Sequence, residues 1–160
     1  MGEVIKFSCR RCGYEKRMRM GVGMHWDLDA LFSGVVNGAK EGRYGEEWKL
    51  ELMKDPSLAL NVSDEIYVCP SCGCFSTGIN LDLYKPAAES LSTTTQSGKK
   101  YGTDLTFELS REYRLYKNYP HFCEKCNEQM KVYNRRNQEM PPSCPECGGP
   151  GDFITDCMWD

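Results

Sequence analysis

Apolar residues recur at every third or fourth position between residues 28 and 39, a spacing typical of the buried face of an α-helix. These apolar positions are Leu28, Leu31, Phe32, Val35, Val36 and Ala39. Asp27 is the predicted N-cap, because an aspartate side chain can accept a hydrogen bond from the first helical turn. Gly38 and Gly42 lie at the end of the pattern and predict that the helix stops between residues 38 and 42.

A second helix is predicted from about residue 43 to residue 55. Its large apolar side chains follow one another at four-residue spacing and are Tyr44, Trp48 and Leu52. Pro56 ends this helix, because proline has no amide hydrogen to continue the helical hydrogen bonds. Together the two helices predict a helical hairpin over about residues 27–55.

Two later segments alternate between apolar and polar residues, which is the pattern of a half-buried β-strand. They cover residues 79–84 and 104–115, with Arg111 as the exception to the alternation. Residues 86–103 lie between them, are rich in Pro, Ser, Thr and Gly, and predict a loop or linker. We expect the two strands to pair, which gives a long β-hairpin over about residues 79–117.

The chain contains 10 cysteines, and eight of them form four Cys-x-x-Cys pairs. The pairs are Cys9 and Cys12, Cys69 and Cys72, Cys123 and Cys126, and Cys144 and Cys147. The first 19 residues have no apolar signal segment, which predicts a cytoplasmic protein. Disulfides do not persist in a reducing cytoplasm, so the cysteines are predicted to bind metal. Cys74 and Cys157 are left over.

Two Cys-x-x-Cys pairs together supply the four sulfurs of a tetrahedral site. Residues 127–143 separate the third and fourth pairs, a spacing typical of a zinc ribbon, so we expect these pairs to share one metal ion. The first and second pairs would then share the other ion, with the helical hairpin filling residues 13–68 between them. This predicts an α+β fold with two four-cysteine zinc ribbons, built from small antiparallel β-sheets, the first split by the hairpin. The expected domains are residues 1–118 and 119–160.

A left-handed backbone position is expected directly after the second cysteine of each pair. Glycine occupies this position after Cys12, Cys72 and Cys147, and it adopts the left-handed conformation without strain. The third pair has Asn127 there instead, and asparagine tolerates that conformation better than most residues.

Two Zn²⁺ ions are the predicted cofactors, and a structural role is expected, because four thiolates leave no open position for a substrate or water. Iron in a rubredoxin-like site is the alternative metal. His25 and His121 are the two histidines, too few for a histidine-rich catalytic centre, and the sequence has no Gly-rich phosphate loop. No catalytic residues and no small-molecule cofactor site are predicted, and the roles of both histidines, Cys74 and Cys157 stay open.

The chain has 20 Lys and Arg against 23 Asp and Glu, a formal charge of −3, which excludes a wholesale basic coat for nucleic acid. Nucleic acid remains possible as a partner through local basic residues, which can contact phosphate. The candidate partner-binding residues are Arg10, Arg11, Lys16, Arg17, Arg19, Arg135 and Arg136. We favour the alternative that the arginines pair with the acidic side of the helical hairpin. The glutamates there are Glu41, Glu46, Glu47 and Glu51.

On its cysteine pairs the chain resembles the zinc-ribbon (rubredoxin-like) superfamily, over residues 119–157 and, as a split ribbon, over residues 4–20 and 66–85. The resemblance implies that all eight paired cysteines are metal ligands. The whole chain is also similar to small double zinc-ribbon proteins of Gram-positive anaerobes, a group that implies no particular activity. The features shared with that group are the Cys-Gly-Tyr opening, Gly21, Val22, Gly23, Met24, Gly38, Gly45, Met158, Trp159 and Asp160.

Hydrophobic residues make up 40% and charged residues 27% of the chain, and no run of about 18 apolar residues occurs, so no membrane association is expected. The function predicted from the sequence is a non-enzymatic zinc-binding interaction module, either a protein adaptor or a nucleic-acid accessory protein. A protein partner is favoured. The alternatives are a thiol-based redox sensor or enzyme using Cys74 or Cys157, and a zinc-handling protein. The sequence leaves the oligomeric state open.

Overall fold

The computed structural model describes residues 2–21, 28–87, 113–133 and 142–159. These residues form two helices and nine strands, and all strand pairs are antiparallel. In chain order the elements are β1 (Gly2–Cys9), β2 (Glu15–Gly21), α1 (Leu28–Lys40), α2 (Glu46–Lys54), β3 (Ala59–Leu60), β4 (Ser63–Val68), β5 (Phe75–Asn80), β6 (Leu83–Pro86), β7 (Tyr113–Lys117), β8 (Lys131–Val132) and β9 (Gly151–Trp159). The mixed α and β content agrees with the predicted fold class.

The chain forms two compact units, and each is discontinuous in sequence. Unit 1 consists of Met1–Gly23, Ser63–Asn80 and Pro120–Asp160. Unit 2 consists of Met24–Val62 and Leu81–Tyr119. This division differs from the expected domains 1–118 and 119–160, because β1 pairs along its whole length with β9 and so joins the two ends of the chain in one unit.

Unit 1 contains a six-stranded sheet with the strand order β5-β4-β2-β1-β9, and β8 pairs with the end of β4. Alternation along β1 turns Ile5, Phe7 and Cys9 inward, where all three are buried. The ring of Phe7 lies 4.6 Å from that of Phe75 and 5.6 Å from that of Phe153, measured between centroids. This aromatic cluster forms the core on that face of the sheet.

Side chains of strand β4 pack in two clusters of unit 1, one on each face of the strand. Ile66 and Val68 pack in the same cluster as Phe7. Tyr67 lies between them in sequence and packs in a second cluster with Cys69, and both clusters include cysteines of the paired motifs. The period-two alternation of a strand is the reason that consecutive residues reach different clusters.

Unit 2 contains both predicted helices. Helix α1 ends at Lys40, within the predicted range, while its predicted N-cap, Asp27, lies outside the described residues. Helix α2 begins at Glu46, three residues later than predicted, because Gly45 precedes it with a φ of 108°, which is not helical. Trp48 and Leu52 are buried on one face of α2, as their spacing predicts. Among the described residues no helix is both long and apolar enough to span a membrane.

The predicted strand over residues 79–84 is interrupted. Its first residues belong to β5, which ends at Asn80, and its last residues belong to β6, which starts at Leu83 in a different sheet. Between them, the carbonyl of Leu81 accepts a hydrogen bond from the Trp48 indole, and that of Asp82 accepts one from the Asn61 amide. The alternation therefore identifies Leu81 and Leu83 correctly as buried, but Asn80 and Asp82, on its polar face, are buried as well. The backbone between the two strands bonds elsewhere.

The expected β-hairpin is present only in part among the described residues, because Ile79 and Asn80 pair with β4 instead. Strand β6 pairs antiparallel with β7, and β3 pairs with the other edge of β6. Residues 88–112 lie outside the described residues, so most of the predicted loop 86–103 and the first part of the predicted strand are not described.

Candidate metal centres

The four Cys-x-x-Cys segments have the same backbone hydrogen bonds, and we call each segment a knuckle, numbered 1 to 4 in chain order. In each knuckle, the amide of the first cysteine donates to the carbonyl five residues later, over 2.8 to 2.9 Å. The amide four residues after the first cysteine donates back to that cysteine's carbonyl, over 2.8 to 3.2 Å. The residues at this position have φ values of 56° to 73° and are Gly13, Gly73, Asn127 and Gly148. The predicted left-handed positions, including the asparagine, are confirmed.

The knuckles come together in two groups of four cysteines, but not in the predicted combinations. The outer group consists of Cys9, Cys12, Cys144 and Cys147. The inner group consists of Cys69, Cys72, Cys123 and Cys126. The prediction that the first pair joins the second and the third joins the fourth is therefore wrong. Knuckle 1 joins knuckle 4, and knuckle 2 joins knuckle 3.

The pairing of β1 with β9 explains the outer group. Cys9 is the last residue of β1 and lies opposite Gly151, the first residue of β9. Knuckle 4 directly precedes β9, so this register sets it beside knuckle 1. The amide of Arg10 also donates to the carbonyl of Pro150 over 3.1 Å. The Arg10 guanidinium donates two further hydrogen bonds of 2.6 Å to the carboxylate of Asp152 on β9.

The inner group depends in the same way on β4 and β8. Val68, directly before Cys69, pairs with Lys131, and Tyr67 pairs with Val132. Strand β8 follows knuckle 3, so this pairing sets knuckles 2 and 3 side by side. Neither the β1–β9 nor the β4–β8 register has a local sequence signal, and the sequence prediction therefore missed both.

Sulfur separations test whether each group fits a tetrahedral metal. In the outer group, the Cys9 and Cys147 sulfurs are 3.6 Å apart, as are those of Cys12 and Cys144. In the inner group, the Cys69–Cys126, Cys72–Cys123 and Cys72–Cys126 sulfur separations lie between 3.4 and 3.7 Å. Zn–S bonds of about 2.3 Å in a regular tetrahedron require sulfurs about 3.8 Å apart. Both groups therefore have a size and a ligand type that suit a tetrahedral metal ion.

Each group has a buried side and a surface side. The first cysteine of every knuckle is buried, and the exposed fractions of Cys9, Cys69, Cys123 and Cys144 range from 1% to 4%. The second cysteine is half-buried or exposed in every knuckle. Backbone amides point at several of the sulfurs, for example from Arg11 to Cys9 and from Gly149 to Cys147. Such amides offset the negative charge of a thiolate.

Protonation differs among the thiols of each group. The amide of Cys12 donates to the Cys9 sulfur and is the largest cause that lowers the pKa of Cys9 to about 6. The amide of Cys74 lowers the pKa of Cys72 to about 6 in the same way. The Tyr14 amide opposes the rise in the pKa of Cys12, but hydrogen bonds with neighbouring thiols and burial outweigh it and raise that pKa to about 12. A metal ion that binds must displace the protons that such thiols hold.

Cys74 and His121 lie beside the inner group without belonging to it. Cys74 packs in the same cluster as Cys69 and Cys123, and burial is the largest cause that raises its pKa to about 11. The ring of His121 stacks on Tyr67 with centroids 3.7 Å apart. Cys157 is exposed on β9, and His25 lies outside the described residues.

Two of the candidate partner-binding arginines pair within unit 1. Arg10 binds Asp152, and this ion pair lowers the pKa of the carboxyl group, chiefly through the hydrogen bonds. Arg17 binds Asp156 over 2.7 Å. The expected pairing of these arginines with glutamates of the helical hairpin is wrong, because their partners are two aspartates of strand β9.

The other candidates are placed as follows. The Lys16 ammonium lies 5.8 Å from the centroid of the Phe75 ring, and Arg11 is exposed in knuckle 1. Arg19 is exposed on β2, opposite Val4. Arg135 and Arg136 lie outside the described residues. In unit 2, Lys117 binds both Glu47 and Glu51.

No protein-family model, no curated protein and no solved structure matches the chain. A functional conclusion therefore depends on the geometry of the four knuckles.

Proposed function

We propose that the protein is a non-enzymatic interaction module stabilised by two structural Zn²⁺ ions, one in each cysteine group. The observation that carries this proposal is the convergence of four knuckles with the same backbone into two groups of four sulfurs. In this proposal both groups are zinc-ribbon (rubredoxin-like) sites, with the knuckles combined differently from their order in sequence.

A structural role is supported by the ligand set and its burial. Four thiolates complete the coordination of Zn²⁺ and leave no position at which water or a substrate could be activated. The first cysteine of each knuckle is part of a buried cluster, so the ion would crosslink the core of unit 1. Structural zinc commonly contributes about 10–16 kcal/mol to folding in small modules, comparable with the whole stability of a domain.

A role in binding is supported by apolar side chains exposed on unit 1. Phe122, directly before knuckle 3, is 56% exposed, and Ile154 on β9 is 50% exposed. Large apolar residues at the surface of a metal-stabilised base suit contact with another protein. Arg10 and Arg17 are held by aspartates, which reduces the positive charge available to nucleic acid. We therefore propose a protein partner.

The thiol-based alternative has less support at Cys74. A reactive thiol needs a low pKa and access to solvent. Cys74 has a pKa raised to about 11 and is half-buried, so at neutral pH it is a protonated and poor nucleophile.

Metal analysis of the freshly purified full chain tests the metal part of the proposal. Zinc at about two equivalents per chain is the expected result. Replacement by Co²⁺ is expected to give the intense sulfur-to-metal absorption and the visible bands of tetrahedral thiolate coordination. Metal content near zero would refute the proposal, and a red, iron-containing protein would establish the rubredoxin-like alternative.

Partner binding is tested with the zinc-loaded chain as bait, compared with the variant Phe122→Asp. Phe122 is exposed, so the variant is expected to retain two zinc equivalents while losing the partner. Titration with single- and double-stranded oligonucleotides at several salt concentrations is the parallel test, and tight, salt-dependent binding would favour nucleic acid instead.

A further inference from the structure

We propose that the outer and inner cysteine groups bind their metal ions cooperatively, because β4 and a contact between Gly73 and Ser143 make each group part of the packing of the other. This inference rests on the proposed function, since it requires metal in both groups. It adds a property that does not follow from two separate sites.

The first link between the groups is strand β4. Val68 is fully buried and packs in the cluster that contains Cys9 and Cys144 of the outer group. Tyr67, one residue earlier, packs with Cys69 and Cys123 of the inner group. One short strand therefore forms part of the wall of both clusters. Displacement of β4 by disorder in either cluster removes packing from the other.

The second link is the anchoring of knuckle 2. This knuckle supplies Cys69 and Cys72 to the inner group. Of the residues on either side of it, Val68 belongs to the cluster that contains Cys9 and Cys144, and Phe75 packs against that cluster. These two flanking residues also pair with each other across β4 and β5. The core that surrounds the outer group therefore also positions knuckle 2, which carries two cysteines of the inner group.

The third link joins the knuckles directly. The amide of Ser143, which precedes Cys144, donates a 2.8 Å hydrogen bond to the carbonyl of Gly73, which follows Cys72. The contact is close, because a Cβ atom placed on Gly73 would overlap Ser143 Oγ and lie 3.0 Å from Ser143 Cβ. Gly73 and Ser143 are positioning residues, since each is adjacent to a cysteine of a different group.

The expected size of the coupling follows from these links. A backbone hydrogen bond that is lost together with part of the packing corresponds to about a tenfold change in metal affinity, within the usual range for coupled sites. By the reciprocity of linkage, each ion raises the affinity for the other by the same factor.

The first experiment uses the wild-type chain and a zinc chelator of known affinity. Cooperative binding predicts that both equivalents leave in one steep transition, with a Hill coefficient above one. Alkylation of the released thiols, mapped by mass spectrometry, is expected to label the outer and inner cysteines at the same chelator concentration. Two separate transitions with independent labelling would overturn the inference.

The second experiment measures the coupling factor. The double variant Cys144→Ser/Cys147→Ser removes the outer group, and the zinc affinity of the inner group is compared with that in the wild type. A decrease of about tenfold is expected, and an unchanged affinity would refute coupling. If the double variant does not fold, the chelator titration of the wild type still decides between the outcomes.

Glycine variants test the direct link with matched controls. Gly73→Ala and Gly13→Ala introduce the same backbone strain, because the two glycines have φ values of 69° and 73°. Only at Gly73 does the new methyl group meet another knuckle, since a Cβ on Gly13 has no atom within 4 Å. The coupling factor is expected to fall several-fold in Gly73→Ala and to persist in Gly13→Ala. Equal factors in the two variants would remove this contact from the explanation.

The outcomes for the proposed function and for cooperativity are distinguishable. Absence of metal from the wild type would refute the proposed function. Two equivalents that are lost independently would leave that function in place and refute cooperativity alone.

Discussion

Replacement of Cys126 by serine, compared with replacement of Cys74, tests which sulfurs of the inner group bind the metal. Cys126 belongs to the group, while Cys74 lies beside it in the same cluster but outside the group. Serine has nearly the size of cysteine, and Cys126 is exposed, so the substitution leaves no cavity in the core. The difference between the variants therefore reports ligation and not packing.

The expected loss of zinc affinity is obtained by dividing the free energy of zinc binding among the four ligands. Structural zinc contributes about 10–16 kcal/mol, so one of four thiolates accounts for two to three powers of ten in affinity. A serine hydroxyl replaces part of this as a weak ligand. We expect Cys126→Ser to lower the zinc affinity of the inner group by about a hundredfold, and Cys74→Ser to change it by less than threefold.

Competition with a chromophoric chelator measures the zinc affinity, and the Co²⁺ spectrum reports the ligand set. Cys126→Ser is expected to weaken the sulfur-to-metal absorption of one of two sites, while Cys74→Ser leaves the spectrum unchanged. A loss of zinc affinity in Cys74→Ser equal to that in Cys126→Ser would show that the Cys74 sulfur is also a metal ligand. Wild-type affinity in Cys126→Ser would refute the assignment of the inner group.

Three further results are expected. Zinc binding at pH 7 is expected to release protons, because the pKa of Cys12 is raised to about 12 in the metal-free chain, and the zinc affinity therefore rises with pH. Calorimetry in buffers of different ionisation enthalpy measures the proton release, and equal heats in all buffers would contradict this expectation. The Arg10 ion pair lowers the pKa of Asp152, so the stabilisation by this pair is present above the ordinary aspartate pKa and is lost as the pH falls through the lowered value. Asp152→Asn is expected to weaken the fall of the denaturation midpoint over that acidic range, and an unchanged fall would count against the pair. Trp48→Phe removes the 2.7 Å hydrogen bond to the buried carbonyl of Leu81, and urea denaturation is expected to show that the free energy of unfolding falls by about 2–3 kcal/mol. A decrease below about 0.5 kcal/mol would mean that this carbonyl finds another partner.

The knuckles could be predicted from the sequence because they are local. Six consecutive residues contain both cysteines, the left-handed position and the hydrogen bonds that close the turn. Even the substitution of Asn127 for glycine could be interpreted, because the conformational cost belongs to one residue. No information from a distant part of the chain is needed to form this element.

The combination of knuckles could not be predicted, because it depends on strands far apart in sequence. The register that brings Cys9 to Gly151 also pairs Phe7 with Phe153 in the shared core, and nothing near Cys9 specifies it. The entropic cost of closing a loop rises only slowly with its length, so the shorter loop between neighbouring knuckles has little advantage. Sequence proximity was therefore a poor guide to which sulfurs meet.

The interruption of the predicted strand between Asn80 and Leu83 also depends on a contact that is distant in sequence. Alternation correctly identified Leu81 as a buried residue. Periodicity reports which side chains face the interior, whereas a strand also needs a neighbour for its backbone. The backbone of Leu81 bonds instead to Trp48, a side chain 33 positions earlier in the chain.

The nested arrangement of the knuckles fixes an order of completion during synthesis. The ribosome produces the chain from its N-terminus, and all four cysteines of the inner group are present once Cys126 has been made. Cys9 and Cys12 must wait for Cys144 and Cys147. Until then the other complete pairs in the nascent chain, first knuckle 2 and then knuckle 3, are ones that the finished protein uses in the inner group. A zinc ion captured early by knuckles 1 and 2 would be a kinetic trap, and its release a slow step in maturation.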